Sequence, residues 1–411
     1  MKKSFFAMVV FFVFFILAGL NQSEAGDPYI LGYQTDLAGP GRTIYAPLAE
    51  GFRLYIDLVN DRGGINGHPV KIIYEDDKSS PATAGAIAEK FITKDNVLAI
   101  LGLGFSRSHP PALKLAMKSG VPLISGYTAI MPLFGPEPSK GIFSVGVLMN
   151  PKANPQGYGN AFISSKIHPG GRLALTTFNP PGARVCNDWG EAWGKKLGMK
   201  VVFRDEWPIR TQDFTPWLVK IAKAKPDIMT STVGGATYIP LLRQMEKHGL
   251  EKLDLLMCDA TSEGDLVKGI KQLSVGNGEN VLWFSRYASA LDPQRPKEFE
   301  NIAGAMKKFG HQHTISSLHA MGWTMGRVME SALKKAGWPC TRAQLITALE
   351  KTDLDTKGLS GGPIRWTPKD HYGATWWKVY RWDAKAKNLK PVLDWYKIDL
   401  PDIMGKVKIG K

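Results

Sequence analysis

The most constraining feature of this sequence is a strand–helix–strand unit that spans residues 29–77. After a first apolar strand and a Gly-Pro loop, four side chains recur at the i, i+3, i+4 and i+7 spacing of one helical face. They are Phe52, Tyr55, Ile56 and Val59. A Gly-Gly pair then supplies the left-handed backbone that ends a helix without steric cost, and a second apolar strand follows. This βαβ unit predicts an α/β sheet.

Strands and helices alternate along most of the remaining sequence, which predicts a doubly wound parallel sheet. Before residue 150, the pattern predicts helices at 81–93 and 110–119 and strands at 97–101, 121–125 and 141–147. A Pro-, Gly- and Asn-rich stretch at 150–159 then interrupts the alternation. We interpret this stretch as a candidate crossing between two lobes.

After the interruption the alternation resumes. Strands are predicted at 172–178, 200–203, 226–232, 253–258 and 281–285, and helices at 183–197, 214–224, 238–249, 296–309 and 316–336. We interpret strand 281–285 as the one that returns to the first lobe. The Trp-rich tail alternates at 374–380 and 391–397 like a hairpin, and we assign it to the second lobe. The chain length suits two lobes of ordinary domain size.

The N-terminus has the composition of a secretory signal peptide. Two lysines precede an uninterrupted apolar run at residues 5–20, and a small-residue cleavage site that ends at Ala25 follows it. Cleavage there predicts a soluble periplasmic protein. A retained membrane anchor is the alternative, but the run has only about the minimum length for crossing a bilayer. Leu20 occupies the position at which a lipid anchor would need a cysteine.

Charge and cysteine content argue against two classes of protein. The net charge is +15 and the pI is about 9.5, yet the basic residues are spread along the sequence without a nucleic-acid motif. We therefore assign the charge to solubility and surface association, and expect no nucleic-acid partner. Cys186, Cys258 and Cys340 lack the spacing of a metal site, and we predict that each is a small buried hydrophobic residue.

The opening unit resembles the periplasmic solute-binding proteins of the branched-chain amino acid (Leu/Ile/Val-binding) type, which deliver ligands to ABC importers. The matching features are an Asp-Leu-Ala-Gly-Pro loop, a Glu-Gly-Phe-Arg-Leu helix, an Asn-x-x-Gly-Gly-Ile-x-Gly turn and a strand that ends in Asp-Asp. The resemblance covers nearly the whole mature chain and is weakest near the C-terminus. It implies the α/β fold of type I periplasmic binding proteins, in which two Rossmann-like lobes are joined by a three-segment hinge and close over a ligand.

The resemblance also implies how the sequence divides. We expect a signal peptide at 1–25, an N-terminal lobe formed by 26–149 and 285–361, and a C-terminal lobe formed by 150–284 and 362–411. It further implies a small-molecule ligand and the membrane permease of an ABC importer as partners. We expect a monomeric, non-enzymatic protein without a cofactor or a metal.

The ligand of an open α/β sheet lies outside the carboxyl ends of the strands. That rule selects the loops 40–45, 104–109, 126–129, 179–184, 234–238 and 259–263. The candidate ligand-binding residues on these loops are Arg42, Tyr45, Ser106, Arg107, Ser108, Tyr127, Thr128, Asn179, Arg184, Gly235 and Asp259.

In amino-acid-binding relatives, the loops after the third and fourth strands bind the ligand carboxylate. The corresponding residues here are Ser106, Ser108 and Thr128, whose hydroxyl groups can donate to a buried carboxylate. Arg107 could add a charged pair, and a solvated loop position or an interlobe salt bridge is an equally good interpretation. The two candidate tyrosines either pack on an aromatic ligand or line the lip or hinge.

The second lobe departs from the family pattern. Relatives carry a tyrosine after two of its strands, whereas this sequence has no tyrosine at 178–184 and a glycine pair that includes Gly235 at the later position. Relatives also carry an acid that pairs with the ligand ammonium; Asp259 is nearest, although an ungapped match places Ala260 there. Two ligand classes remain. One is a hydrophobic amino acid held by Asp259 or Glu263, and the other, favoured by the extra space, is an aromatic or short-chain acid without an ammonium.

Other functions find little support in the sequence. Gly102-x-Gly104 lacks the third glycine of a dinucleotide loop, and the Gly-x-Ser-x-Gly elbow of hydrolases does not occur. His311 and His313 lack a carboxylate-rich motif nearby, so we interpret them as part of a solvated loop. A ligand-sensing receptor of the same fold would continue into a transmembrane helix, whereas the sequence ends at Lys411. A binder of short-chain amides or urea is the remaining alternative.

Overall fold

The computed structural model describes residues 26–411 except 105–107, 127–139, 147–153, 180, 209–210, 233–236, 259–260, 275–276, 374, 399–402, 404 and 409–411. Within that part of the chain, no helix is both long and apolar enough to cross a membrane.

The first part of the chain forms a parallel sheet with helices between its strands. The elements are β1 (Tyr29–Thr35), α1 (Arg42–Asp61), β2 (Val70–Asp76), α2 (Pro81–Thr93), β3 (Ala99–Gly102), α3 (His109–Ser119), β4 (Leu123–Ser125) and β5 (Ile142–Ser144). The strands are parallel and lie in the order β2-β1-β3-β4-β5. Because the order reverses at β1, the carboxyl ends of β1 and β3 flank the crevice expected of such a sheet.

A second sheet begins after residue 154. Its elements are α4 (Pro155–Ile167), β6 (Arg172–Phe178), α5 (Pro181–Lys196), β7 (Lys200–Trp207), α6 (Thr215–Ala224), β8 (Ile228–Ser231), α7 (Tyr238–Lys247), β9 (Asp254–Cys258), α8 (Glu263–Ile270) and β10 (Val281–Ser285). The strands β6 to β10 pair with one another in parallel. The alternation of the sequence therefore builds two sheets.

The C-terminal part of the chain contributes to both layers. It contains α9 (Glu298–Lys308), α10 (Ser317–Ala336), α11 (Arg342–Leu349), the short ribbon β11 (Asp353–Leu354) and β12 (Ile364–Arg365), and the hairpin β13 (Trp376–Asp383) and β14 (Asn388–Lys397). The hairpin extends the second sheet, whose order is β14-β13-β10-β9-β8-β6-β7. Three chain segments thus connect the sheets, after β5, after β10 and before β13.

The opening βαβ unit forms as its sequence pattern predicts. Phe52, Ile56 and Val59 are at most 1 % exposed in the core beneath α1, and Tyr55 is half-buried beside them. The helix ends before Gly63, where φ is +93°. The prediction of a left-handed glycine at the end of this helix is confirmed.

Helix α10 packs along α1 at unusually close range. A side chain on Gly51 would place its Cβ 2.2 Å from the backbone oxygen of His319, and one on Gly322 would place it 2.0 Å from that of Leu48. Glycine is required at both positions because the two backbones approach directly. The first sheet is therefore covered by helices from both ends of the sequence.

Several predicted boundaries need correction. Strand 281–285 belongs to the second sheet, because β10 pairs with β9 and β13, and the chain crosses back only after it. The stretch 150–159 includes the start of α4, which Asn154 caps through a hydrogen bond from the amide N–H of Gly157. The loop 259–263 runs into α8, where the hydroxyl of Ser262 accepts from the amide N–H of Asp265. The hairpin of the tail is confirmed.

The predicted loop 40–45 is mostly helix, so Arg42 and Tyr45 lie in the first turn of α1. The carboxylate of Asp36 accepts hydrogen bonds from the amide N–H groups of Gly39 at 2.5 Å and Gly41 at 2.8 Å. These bonds fold the Gly-Pro-Gly segment tightly, so the helix begins immediately after it. Pro47 lies in the second turn of this helix, where it lacks the N–H that would donate to the carbonyl four residues earlier.

The three cysteines differ in burial. Cys186 and Cys258 lie within the core of the second sheet, as predicted. Cys340 is only half-buried, because it precedes the exposed start of α11, where its thiol lies 3.4 Å from the backbone oxygen of Thr341. The prediction of a fully buried residue is therefore wrong for Cys340.

Candidate ligand-binding site

The carboxyl ends of the two sheets lie next to each other. Tyr287, which follows β10, donates its hydroxyl to the backbone oxygen of Val145, which follows β5, at 2.9 Å. The segment before β13 runs alongside β5, where the amide N–H of Ser144 donates to the backbone oxygen of His371 at 3.2 Å. A cleft between the sheets is therefore bordered by the carboxyl ends of the strands, where the sequence analysis places the ligand.

A cluster of buried polar groups closes the first sheet at this edge. Asp36 follows β1, Asp77 follows β2, and Ser79 and Ser108 complete what we call the aspartate cluster; all four are at most 1 % exposed. Asp36 accepts from the hydroxyl of Ser79, and Asp77 accepts from its amide N–H at 2.8 Å. Burial raises the pKa of Asp77, and the nearby charge of Asp36 adds to the increase.

Ser108 is part of this cluster. Its hydroxyl lies 3.3 Å from Asp77 Oδ2, to which it donates. The side-chain amide of Gln34 lies 3.4 Å from the same oxygen. The hydroxyl predicted to bind a ligand thus lies at the expected edge and also fixes the loop that follows β2.

Tyr45 lies behind the same cluster. Its ring packs with Ile44 and Leu318 and is 4 % exposed. Burial raises the pKa of its hydroxyl, and the negative charges of Asp77 and Asp36 raise it further. Arg42, one turn earlier, is exposed at the start of α1. Of these two candidates, Tyr45 is therefore a buried residue behind the aspartate cluster, and Arg42 is an exposed cation.

The edge of the second sheet is built differently. Asn179 is exposed and uses its backbone N–H to reach the oxygen of Trp207 at 3.0 Å. The guanidinium of Arg184 lies 2.9 Å from the carboxylate of Glu206, and the arginine side chain is 60 % exposed. Ion pairs of an exposed side chain contribute only ~0.2–1 kcal/mol, so Arg184 could exchange this contact for another. The remaining candidates, Ser106, Arg107, Tyr127, Thr128, Gly235 and Asp259, lie outside the described residues.

Glu263, the alternative acid, is already engaged. Its carboxylate accepts from the amide N–H of Ser317 at 2.8 Å, from the hydroxyl of Ser317 at 3.1 Å and from that of Ser289 at 3.2 Å. Glu263 is 1 % exposed, and burial raises its pKa. Because it opens α8 on the second sheet and Ser317 opens α10 on the first, we call this contact the Glu263 bridge. It joins the two layers.

Two further residues lie at the carboxyl edge of the second sheet and are not among the candidates predicted from the sequence. Arg286 is 3 % exposed directly after β10, with its guanidinium carbon 5.3 Å from the centre of the Trp377 ring. Tyr238 is fully buried and donates its hydroxyl to the backbone oxygen of Ser231 at 2.8 Å. Arg286 could have been found as a cation that directly follows an inner strand.

Two parallel α/β sheets, three connecting segments and a cleft at the carboxyl ends define a two-lobed binding protein of the type I periplasmic fold. The chain belongs to the periplasmic binding protein family, whose sequence model matches residues 28–387.

Individual relatives agree with that assignment. A curated "Amino acid binding protein" from Pseudomonas aeruginosa is 26% identical over 207 residues, which cover 47% of this chain and 50% of that protein. The matched region thus spans about half the length of this relative.

Solved structures match over more of the chain. A branched-chain amino acid ABC transporter protein from Thermus thermophilus with bound valine has a TM-score of 0.78 at 17% identity, covering 91% of this chain and 97% of that one. A solute-binding protein of an R. palustris ABC transporter in complex with 4-hydroxybenzoate has a TM-score of 0.74 at 19% identity, covering 92% and 98%. At these identities the likeness is one of fold.

Proposed function

We propose that this protein is the extracytoplasmic receptor of an ABC importer, and that it captures a small carboxylate-bearing ligand in the cleft between its sheets and delivers it to a membrane permease. The observation that carries the proposal is the meeting of the two carboxyl edges, seen in the contact of Tyr287 with Val145. Ligand capture of this kind needs no catalytic group, so the protein acts as a binding protein and not as an enzyme.

The lobes of this receptor are formed by residues 26–149 with 285–361 and by 150–284 with 362–411. These limits agree with the two sheets except at two places: Ser285 is the last residue of β10 in the second sheet, and β12 (Ile364–Arg365) pairs with β11, on the other side of the limit at 361. Closure of the lobes over the ligand would bend the three connecting segments. A signal peptide at residues 1–25 would place the mature protein outside the cytoplasm.

The ligands of the solved neighbours support a carboxylate. One holds valine and another 4-hydroxybenzoate, so the feature they share is a carboxylate on a largely apolar body. They differ in the ammonium group, which only valine carries. The candidate residues Ser106, Arg107 and Thr128 are the expected carboxylate donors, since a buried carboxylate needs several donors.

The state of Glu263 bears on whether the ligand carries an ammonium. Glu263 is 1 % exposed and its carboxylate already accepts three hydrogen bonds from Ser317 and Ser289, so an α-amino group would have to compete with these donors. Asp259 is then the remaining acid among the candidate residues. This favours an aromatic or other apolar acid without an ammonium over a branched-chain amino acid.

Matched ligand pairs test the proposal. Leucine is compared with 4-methylpentanoate, phenylalanine with 3-phenylpropanoate, and benzoate with benzamide, by calorimetry on protein refolded free of bound ligand. We expect one of the acids without an ammonium to bind and to raise the melting temperature. At a ligand concentration of 100 times Kd, the added free energy of unfolding should be about 2.7 kcal/mol. Tighter binding of leucine than of 4-methylpentanoate would show that the ammonium is read, and tighter binding of benzamide would sink the carboxylate assignment.

Two substitutions separate the two halves of the ligand. Arg107→Ala should raise the Kd of the acid that binds by tenfold or more, since truncating one member of a buried charged pair costs ~2–5 kcal/mol. Asp259→Ala should weaken binding only of a ligand that carries an ammonium group. Arg53→Ala, at an exposed position of α1, is the matched control for loss of a positive charge. An unchanged Kd in Arg107→Ala would remove Arg107 from the site.

A further inference from the structure

Four titratable side chains meet at a place that the ligand cleft does not use. Glu50 lies on α1, His311 and His313 lie in the segment between α9 and α10, and His319 lies in the first turn of α10. Glu50 is eight residues beyond Arg42 on the same helix, so it lies roughly 12 Å from the end of α1 that borders the cleft. The cluster is therefore a separate feature of the first layer.

The donor atoms of this cluster lie close together. Glu50 Oε1 lies 2.5 Å from His311 Nδ1 and 2.9 Å from His313 Nδ1. One ligand atom from each of these three residues falls within 4.8 Å of the others. Donors bound to a tetrahedral Zn²⁺ at ~2.0–2.1 Å are roughly 3.3 Å apart, so an ion requires small movements of the three side chains. It also displaces the protons that the two Nδ1 atoms donate to Glu50, and these protons are released to solvent. Imidazole nitrogens with a carboxylate oxygen are donors that Zn²⁺ and similar ions accept.

His319 has a different part in this arrangement. The amide N–H of Ser316 lies 3.1 Å from His319 Nδ1, to which it donates, so the ring proton of neutral His319 resides on Nε2. That Nε2–H donates to the second oxygen of Glu50 at 3.2 Å. His319 is therefore a positioning residue that orients the carboxylate, as hydrogen-bonded partners of metal ligands commonly do.

The four side chains of the cluster become progressively more exposed from His319 to His313. The side chains of His319, Glu50, His311 and His313 are 2 %, 12 %, 23 % and 71 % exposed. The carboxylate of Glu50 accepts hydrogen bonds from all three histidines. A negative oxygen on a rigid helix, two imidazoles on a loop and an open solvent side leave a place for an ion and a water.

We propose that Glu50, His311 and His313 form a binding site for a divalent transition-metal ion of the Zn²⁺ class, with His319 as its positioning residue. A bound ion would tie the segment before α10 to α1. That segment leads directly to Ser317, where the Glu263 bridge joins the two layers, so the ion would also stiffen one attachment point of the bridge.

The test uses the mature chain without an affinity tag, stripped with a chelator. Titration with Zn²⁺ is followed by calorimetry, and titration with Co²⁺ by visible absorption, since a four-coordinate Co²⁺ site absorbs strongly. We expect one ion per chain. His313→Ala and Glu50→Gln should each weaken the affinity for the ion by at least tenfold. His319→Asn should weaken it by about 10–100-fold with the same stoichiometry. His248→Ala, at a half-buried histidine that caps the end of α7, is the matched control.

The double variant His311→Ala/His313→Ala decides the outcome. Both residues are on a loop and His313 is mostly exposed, so the variant should fold, which its chelator-treated melting temperature checks. Loss of the Co²⁺ absorption with an unchanged melting temperature would support the site. Stoichiometric Zn²⁺ binding that survives in this variant, or no binding by the wild type, would overturn the proposal.

Discussion

The two carboxyl edges that border the cleft are built in contrasting ways. On the first sheet, Asp36, Asp77, Ser79 and Ser108 are buried and bonded to one another. On the second sheet, the exposed guanidinium of Arg184 holds only an ion pair with Glu206. The first edge is fixed before any ligand arrives, whereas the second can rearrange at little energetic cost. In a receptor of this kind, the fixed edge would hold what all ligands share and the adaptable edge would select among them.

The largest effect that the comparison implies is on stability. Asp36→Ala should lower the free energy of unfolding by ~3 kcal/mol or more, because it leaves the N–H groups of Gly39 and Gly41 and the hydroxyl of Ser79 without their acceptor. Urea unfolding measures the change. Asp61→Ala, at the exposed end of α1, is the matched control. A loss below ~1 kcal/mol would show that the first edge is not the rigid one.

The Glu263 bridge should have a smaller effect. Glu263→Ala should cost ~2 kcal/mol, because Ser317 loses the acceptor for both its N–H and its hydroxyl. Glu263→Gln keeps one carbonyl oxygen in place and should cost less than half as much. Small-angle scattering of the two variants then reports whether the layers open. Equal stability of both variants would contradict a role for these hydrogen bonds.

The pH dependence of the first edge follows from Asp77, whose pKa burial raises in the folded protein. Because the folded state then takes up a proton at a higher pH than the unfolded chain, ionisation of Asp77 opposes folding above the raised pKa. Lowering the pH through that pKa toward about 3.8 relieves this cost. We therefore expect wild type to gain stability relative to Asp77→Asn as the pH falls from 7 to 4, measured by urea unfolding. If wild type instead loses stability relative to Asp77→Asn over this range, the pKa of Asp77 is not raised in the folded protein.

The smallest effect should be at the second edge. Arg184→Ala should change the free energy of unfolding by ~0.5 kcal/mol or less, because the arginine side chain is 60 % exposed and Glu206 keeps Arg204 as a second partner. Its effect on ligand affinity, measured by calorimetry with the acid that binds best, should exceed its effect on stability if this edge selects the ligand. A stability loss as large as that of Asp36→Ala would erase the contrast between the edges.

Local sequence patterns are sufficient to predict most helices and strands of the fold. The stripe of Phe52, Ile56 and Val59 and the glycine after it depend on neighbours a few residues away, so periodicity was sufficient to predict the helix and its end. The start of α8 was also readable, because Ser262 and Asp265 have the spacing of a capped helix, but Glu263 was interpreted as a loop residue.

Contacts between distant residues could not be read in this way. Ser317 lies 54 positions from Glu263, and nothing near either residue signals the bridge. The same holds for His311, which was assigned to a solvated loop because its carboxylate partner Glu50 is 261 positions away. Single-sequence patterns identify which edge of a sheet faces a cleft, but not which polar groups there are already bonded.

The close packing of α1 against α10 has a consequence for the order in which the molecule can assemble. Helix α1 cannot complete its buried face until α10 exists, and 269 positions separate Glu50 from His319 across that contact. A ribosome that adds ~5–20 residues per second needs roughly 10–50 s to make this interval. During that time the apolar stripe of the first helix stays uncovered. The face of α1 that packs on α10 therefore lacks its partner until residues 317–336 have been synthesised.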